Sequence, residues 1–435
     1  VAALAVRVWF ALAFPVAQVS DYAGYYEEAR ALAGLADRSL NPEQAIGPKL
    51  VYAAVFRLFG DSLYVVGLTN AVLFTSAVAF AFLGACRLFG RWAATWMALF
   101  WLSSLSELYF NNLACTEVIG TFFVAFLFFL LARGIESWSS LLLLGVAGGL
   151  AAYNRPALLP LGGLVLIQQA LAHRQLLRPL KRAAVVQAVV LVMVLPLCAV
   201  NARLFSRFTP LIANAGGALW YGNNPRVSGP HVYTELPEDF PPGSRKRQRR
   251  AERFSSFYVN ADPSMDFEEM GHYERDDVRW RYATAWIRAH PGRYLGLVAV
   301  RFRLLFFSCT YGEAPYVLYD PEKPEQPRWG DAGRKLMAAA RLPARLWYRV
   351  LAGGALLGFL VVLVRRRAAA LLSPLNLPVM LLAFYVLPYL LSAAANRYHI
   401  PVLFLLWTYL GAGISACGGN RGSLPSRDAA PEGGC

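Results

Sequence analysis

Two carboxylates and three cations stand at the ends of hydrophobic runs in an otherwise strongly apolar chain. Asp21 follows the run VRVWFALAFPVAQV by two residues, and Lys49 lies in Gly47-Pro48-Lys49. Thr116-Glu117 and Asn154-Arg155-Pro156 each separate two apolar runs, and Asn396-Arg397-Tyr398-His399 precedes the last run. A carboxylate can take a proton from an attacking hydroxyl. Arg and Lys can neutralise the charge of a departing phosphate. Taken singly, each residue has a plainer reading. Asp21 is a solvated helix end, Glu117 an acid at a positive helix N-terminus, and the three cations reach for headgroups. Their convergence on one membrane face favours chemistry on a lipid-linked phosphate.

The elements that must position them are membrane helices. Of 435 residues, 57% are hydrophobic and only 16% charged, whereas an ordinary soluble domain is charged at about 25% of positions. Apolar stretches near 2–19, 62–85, 92–108, 118–132, 139–153, 157–171, 183–200, 349–364, 373–392 and 401–417 read as spans. The first is read as a membrane helix rather than a cleaved signal, since no small-residue cleavage site follows it. Arg87 and Arg91, Arg133, the group Arg174, Arg178, Lys181 and Arg182, and the triplet Arg365-Arg366-Arg367 mark inner turns. All five polar motifs then face outward. The segment 294–308 carries Arg301 and Arg303 mid-run, which is costly in lipid, and reads as an interfacial or re-entrant helix. The expected fold is an all-α polytopic membrane protein of about 10 (10–12) spans. Its parts are a module over 1–200, an outer loop over 201–348, helices over 349–417 and a disordered tail over 418–435.

The net charge of +15 does not call for nucleic acid, because the basic residues lie mostly between spans and no nucleic-acid module accompanies them. The cysteines form no CxxC pair, and no metal site is expected. The loop 20–61 is expected to hold an amphipathic helix with Tyr22, Tyr26, Ala29 and Leu32 on its apolar side and Glu27 and Glu28 on its wet side. The loop 201–293 is expected to enter a helix with a stripe of Val278, Tyr282, Ala285, Trp286 and Ala289. His399 reads as a packed histidine.

The ordered series SDYAGYY, LFGDS, RLFGRWAA, ACTE, AYNRPALLPL, NARLFSRF, WYGNNP, HPGRY and NRYHIPV resembles the glycosyltransferase family 39 clan. These are GT-C membrane enzymes that include protein O-mannosyltransferases and aminoarabinose transferases. The resemblance implies a GT-C fold and transfer of a sugar from a polyprenyl-phosphate donor to a lipid, glycan or protein acceptor, with inversion, at the extracytoplasmic face. It implies Asp21 as general base, with Glu117 as the second catalytic acid. Arg155, Arg397 and Tyr398 would serve the donor phosphate, joined by Lys49. Tyr25, Trp220, Tyr221, Asn223 and Asn224 are expected substrate contacts, the last four also readable as turn residues. No adjacent Asp-Glu pair follows the first span, and this favours a bacterial-type enzyme of the plasma membrane over protein mannosylation. No cofactor is implied, and the clan's members differ in their need for a divalent metal.

A flippase or transporter is the rival from another class. It would place polar residues near the bilayer midplane within inverted repeats, whereas here the charges gather at run ends. A non-catalytic GT-C relative is a further alternative. Single cysteines introduced over 311–345 are expected to react with membrane-impermeant thiol reagents from the outer side. Labelling from the inner side would make 294–308 an additional span.

Overall fold

A computed structural model of the chain describes residues 1–172, 177–210, 212–224, 227, 270–307, 330–366 and 376–417. The described residues are helical throughout, without strands. In chain order the helices are α1 (Ala2–Ala13), α2 (Asp21–Ala33), α3 (Ile46–Phe59), α4 (Leu63–Phe89), α5 (Arg91–Leu102), α6 (Leu105–Tyr109), α7 (Thr116–Arg133) and α8 (Trp138–Asn154). They continue as α9 (Leu161–Ala172), α10 (Leu177–Phe205), α11 (Ala215–Gly222), α12 (His272–Ala289), α13 (Pro291–Phe307), α14 (Gly330–Arg366), α15 (Leu377–Leu391) and α16 (Leu403–Cys417). The tail and the basic run at 245–250 lie outside the described residues.

Among the described residues, five segments are long and apolar enough to cross a membrane: Leu63–Phe89, Thr116–Arg133, Leu177–Phe205, Leu342–Arg365 and Arg397–Cys417. Ala2–Ala13, Leu161–Leu171 and Leu377–Leu391 are shorter apolar helices. This is the all-α polytopic membrane architecture expected from the sequence, although the apolar runs break where local chemistry forbids helix. The first run stops at Ala13 because Pro15 has no N–H to donate and biases Phe14 away from helical geometry; Phe14 sits at φ −132°. Asp21 therefore does not end the first membrane helix but begins the next one. The run at 92–108 divides at Ser103-Ser104 into α5 and α6.

The core lies where α4, α5, α7, α14 and α16 meet. Trp101 of α5 packs at 5.0 Å from both Phe74 of α4 and Phe404 of α16, and Phe128 of α7 completes the group at 5.7 Å from Phe404. Helix α16 approaches its neighbours closely because its contact face is made of small residues. A Cβ on Gly411 would stand 2.2 Å from the Ala93 carbonyl oxygen of α5, and one on Gly413 2.5 Å from the Gly358 Cα of α14. In lipid, association rests on such close packing rather than on hydrophobic transfer. Helix α12 buries Val278, Ala283 and Trp286, while Ala285 and Ala289 of the expected stripe are exposed.

Gly411→Val should lower the stability of the detergent-purified protein by about 1–3 kcal/mol through overpacking. Gly163→Val, where the added atoms meet open space, is the control. Thermal unfolding of the two variants side by side checks the difference.

Candidate active site

Four helix ends bring the polar motifs together. The α7 N-terminus presents Glu117, and the turn after α8 presents Arg155. The 3-10 segment Asn396–Val402 presents Arg397, and the first residue of α2 is Asp21. The turn carrying Arg155 is tied to the start of α7 by Asn154, whose Nδ2 donates to the Thr116 carbonyl at 3.1 Å. Helix α3 docks against the same turn at Gly47, where a Cβ would lie 2.8 Å from the Tyr153 carbonyl oxygen.

Glu117 is the centre of the cluster. Its side chain is 3% exposed, and its Oε1 accepts from Arg155 Nη2 at 3.0 Å and faces Arg397 Nε at 3.7 Å. Thr116 Oγ1 lies 3.2 Å from its other oxygen. Arg397 turns its terminal nitrogens the opposite way. Nη2 meets Asp21 Oδ2 at 2.5 Å and Nη1 meets the Tyr22 hydroxyl at 3.1 Å. Tyr398 lies beneath both cations, with its ring centre 5.6 Å from the Arg155 guanidinium and 6.0 Å from that of Arg397. Asp21 is the open member, its side chain 48% exposed.

The cluster is not internally saturated. Arg155 Nε, Arg397 Nε and the Tyr385 hydroxyl are buried donors without a hydrogen-bond acceptor among the described residues. Buried donors ordinarily find acceptors. Several left unmatched around two guanidiniums form a donor set suited to an oxyanion. Tyr25, partly buried beside Asp21, Glu117, Arg155 and Arg397, has its phenol pushed well above its ordinary range by burial, partly offset by Arg155.

Lys49 stands apart from this group. Its ammonium is buried against Glu28 Oε2 at 2.7 Å and donates to the Asn41 carbonyl at 3.0 Å. Burial pulls its pKa below the ordinary lysine value, opposed by Glu28. Glu28 is thus not on the wet face of α2: it is 1% exposed, and its Oε2 also accepts from the Asn41 N–H at 2.8 Å. The reason is helical spacing, since Asp21, Tyr25 and Glu28 at i, i+4 and i+7 share the inward face. Glu27 remains partly exposed and pairs with Arg30 at 2.8 Å. Lys49 also lines an open cleft whose walls include Leu40, Asn41, Tyr153, Pro156 and Phe205.

The expected contacts on α11 are engaged in packing. Asn223 and Asn224 are fully buried, and their amides donate to main-chain carbonyls at the end of α11, as helix C-termini require. Trp220 packs on Tyr282, and Tyr221 lies under Arg279 at 5.6 Å. Asn223 also reaches Leu391 and Ser392 at 3.3 and 3.2 Å, and its Oδ1 accepts from Arg301 Nη2 at 2.8 Å. Arg301, fully buried, donates further to the carbonyls of Gly222 and Leu390. The mid-run arginine that looked costly for lipid thus knits α11 and α13 to the end of α15, a few residues before Arg397. His399 is packed as expected, against the Leu305 carbonyl at 2.6 Å and the Tyr348 ring.

Sequence reasoning missed Tyr22, Tyr385 and Glu28. The heptad relation of Asp21 to Glu28 was the available signal for the last. The other two are ordinary aromatics until the tertiary structure faces them inward.

Residues 43–199 match the family model for dolichyl-phosphate-mannose-protein mannosyltransferases, a stretch that contains Lys49, Glu117 and Arg155. No curated protein matches the sequence significantly. An oligosaccharyltransferase from Archaeoglobus fulgidus, solved with a tethered acceptor peptide containing an NVT sequon, superposes with a TM-score of 0.50 at 11% identity. The match covers 95% of this chain and 49% of that one. The fold is that of the GT-C glycosyltransferases. ArnT from Cupriavidus metallidurans, solved with undecaprenyl phosphate, matches at 17% identity and a TM-score of 0.45, over 96% of this chain and 77% of that one. The resemblance to the family 39 clan read from the ordered motifs is borne out in its GT-C fold and over residues 43–199. The chain spans about half the length of the GT-C oligosaccharyltransferase it matches.

Removing one partner from a buried ion cluster leaves an uncompensated charge, at a cost of about 3 kcal/mol or more. Arg155→Met should therefore destabilise the protein by about that amount, and Glu117→Gln in the same chain should restore part of it. Thermal unfolding of the single and double variants in detergent checks the coupling.

Proposed function

We propose that this protein is an inverting glycosyltransferase that moves a sugar from a polyprenyl-phosphate donor to a lipid, glycan or protein acceptor at the outer membrane face. The observation that carries the reading is the cluster of Asp21, Glu117, Arg155 and Arg397, with its unmatched buried donors. Arg155 and Arg397 donate to the phosphate oxygens, joined by the Tyr385 hydroxyl. Glu117 fixes the two guanidiniums, because one of its oxygens faces both. Asp21, on the open side, takes the proton of the acceptor hydroxyl or amine as its oxygen or nitrogen attacks C1 of the sugar. The C1–O bond to the phosphate breaks, and the polyprenyl phosphate leaves with the electron pair. One displacement inverts C1 without a carboxylate nucleophile. The match of residues 43–199 to a family defined by a dolichyl-phosphate sugar donor supports the same class. The largely apolar cleft beside Lys49, walled in part by Tyr153 and Pro156 on either side of Arg155, would receive the lipid portion of the donor.

In a transfer assay with radiolabelled polyprenyl-phosphate sugars, Asp21→Asn should lower turnover by about 10²- to 10⁴-fold with folding retained. Glu27→Gln on the same helix should change it little. Near-normal turnover by Asp21→Asn would exclude it as the base. Arg397→Ala should weaken donor binding by about 10-fold or more, and an unchanged donor affinity would count against its phosphate role.

A further inference from the structure

Asp21 and Glu117 are 96 residues apart in sequence, and each is preceded by a short non-helical segment, residues 14–20 and 113–115. These two segments grip one another through side-chain amides. Gln18, three residues before Asp21, donates from Nε2 to the Asn112 carbonyl at 2.9 Å and accepts the Ala114 N–H on Oε1 at 2.7 Å. Ala114 in turn lies three residues before Glu117. In the reverse direction Asn112 Nδ2 donates to the carbonyls of Phe10 and Phe14, at 3.2 and 2.5 Å, at the end of α1. Gln18 Nε2 also reaches the Val16 carbonyl at 2.9 Å, which holds its own segment in shape.

Between this clamp and Asp21 lies Ser20, a non-glycine residue at φ 55°, ψ −134°. Such a conformation costs about 1–3 kcal/mol and persists only where its surroundings over-determine it. Here it is bracketed by the Gln18 contacts on one side and the first turn of α2 on the other, where the Tyr22 N–H reaches the Val19 carbonyl at 3.1 Å. The turn at Ser20 sets the direction in which α2 starts, and so the direction in which Asp21 meets Arg397.

We infer that Gln18 is a positioning residue of the transfer site, its amide clamping the segment that delivers Asp21 onto the segment that delivers Glu117. The inference rests on the proposed transfer function, and two readouts separate the two. The full-length protein is purified in detergent as wild type, Gln18→Leu, which removes both contacts, and Gln18→Asn, which keeps an amide one methylene shorter. Hydrogen exchange by mass spectrometry is followed in peptides covering 16–24 and 112–118, with peptides from α4 and α16 as reference. Transfer is measured as kcat and donor KM.

Exchange in Gln18→Leu should accelerate in both segments together while the reference peptides stay protected. Its kcat should fall about 100-fold, as misplacement on the ångström scale causes, with donor KM within about twofold. Loosening of one segment alone, or of neither, overturns the clamp. Loosening of both with kcat intact overturns the positioning role. If Gln18→Leu exchanges everywhere, Gln18→Asn decides by the same two readouts. If the wild type transfers no sugar from any donor, the transfer function fails and exchange alone judges the clamp.

Discussion

A carboxylate held almost dry between two guanidiniums is the constraint on which the rest of this structure depends. Taking Glu117 out of water costs several kcal/mol unless opposite charge and hydrogen bonds compensate it. Those partners come from a turn after α8 and from a 3-10 segment hundreds of residues later. The chain must therefore bring the α7 N-terminus, the end of α8 and the entrance to α16 to one point. The small-residue face of α16, the Asn154 bond to α7 and the Arg301 brace on α15 all serve that convergence. Attraction between ions strengthens as the local dielectric falls, so the apolar surroundings that make the cluster costly also make it rigid.

The site divides its labour by exposure. Arg155 and Glu117 are buried, Arg397 is largely buried at 17% exposure, and Asp21 is nearly half exposed. That gradient suits the proposed transfer, in which the lipid-linked donor would meet the buried cations and the acceptor the exposed Asp21. A second dry pair, Lys49 with Glu28, sits one stride along the same face of α2, with the Lys49 ammonium 6.0 Å from the Tyr25 ring centre. Helix α2 thus carries a carboxylate toward each cationic centre and joins them mechanically.

Much of this was legible in the residues. An apolar chain with its charge gathered mostly at the ends of its runs has few ways to fold other than as membrane helices. The positions of Asp21, Glu117, Arg155 and Arg397 at those ends marked them before any contact was known, and the ordered motifs gave the clan. Helix boundaries were legible only in part: Pro15 and the Ser103-Ser104 pair break runs that hydrophobicity alone would continue.

What the sequence determined by itself was the solvent for each segment, because hydrophobicity is additive along the chain. It thereby determined the membrane class and the set of charges that had to be paired or used. Which charge met which was decided only by the tertiary structure. Pairing depends on distances between residues far apart in sequence, and no local pattern encodes these. So Lys49 went to Glu28 rather than to the Glu117 cluster, Arg301 bound main-chain carbonyls instead of facing lipid, and Asn223 became a brace. The turn at Ser20 belongs to the same category: its φ of 55° is opposed by local preference and is maintained by contacts from a segment nearly a hundred residues away.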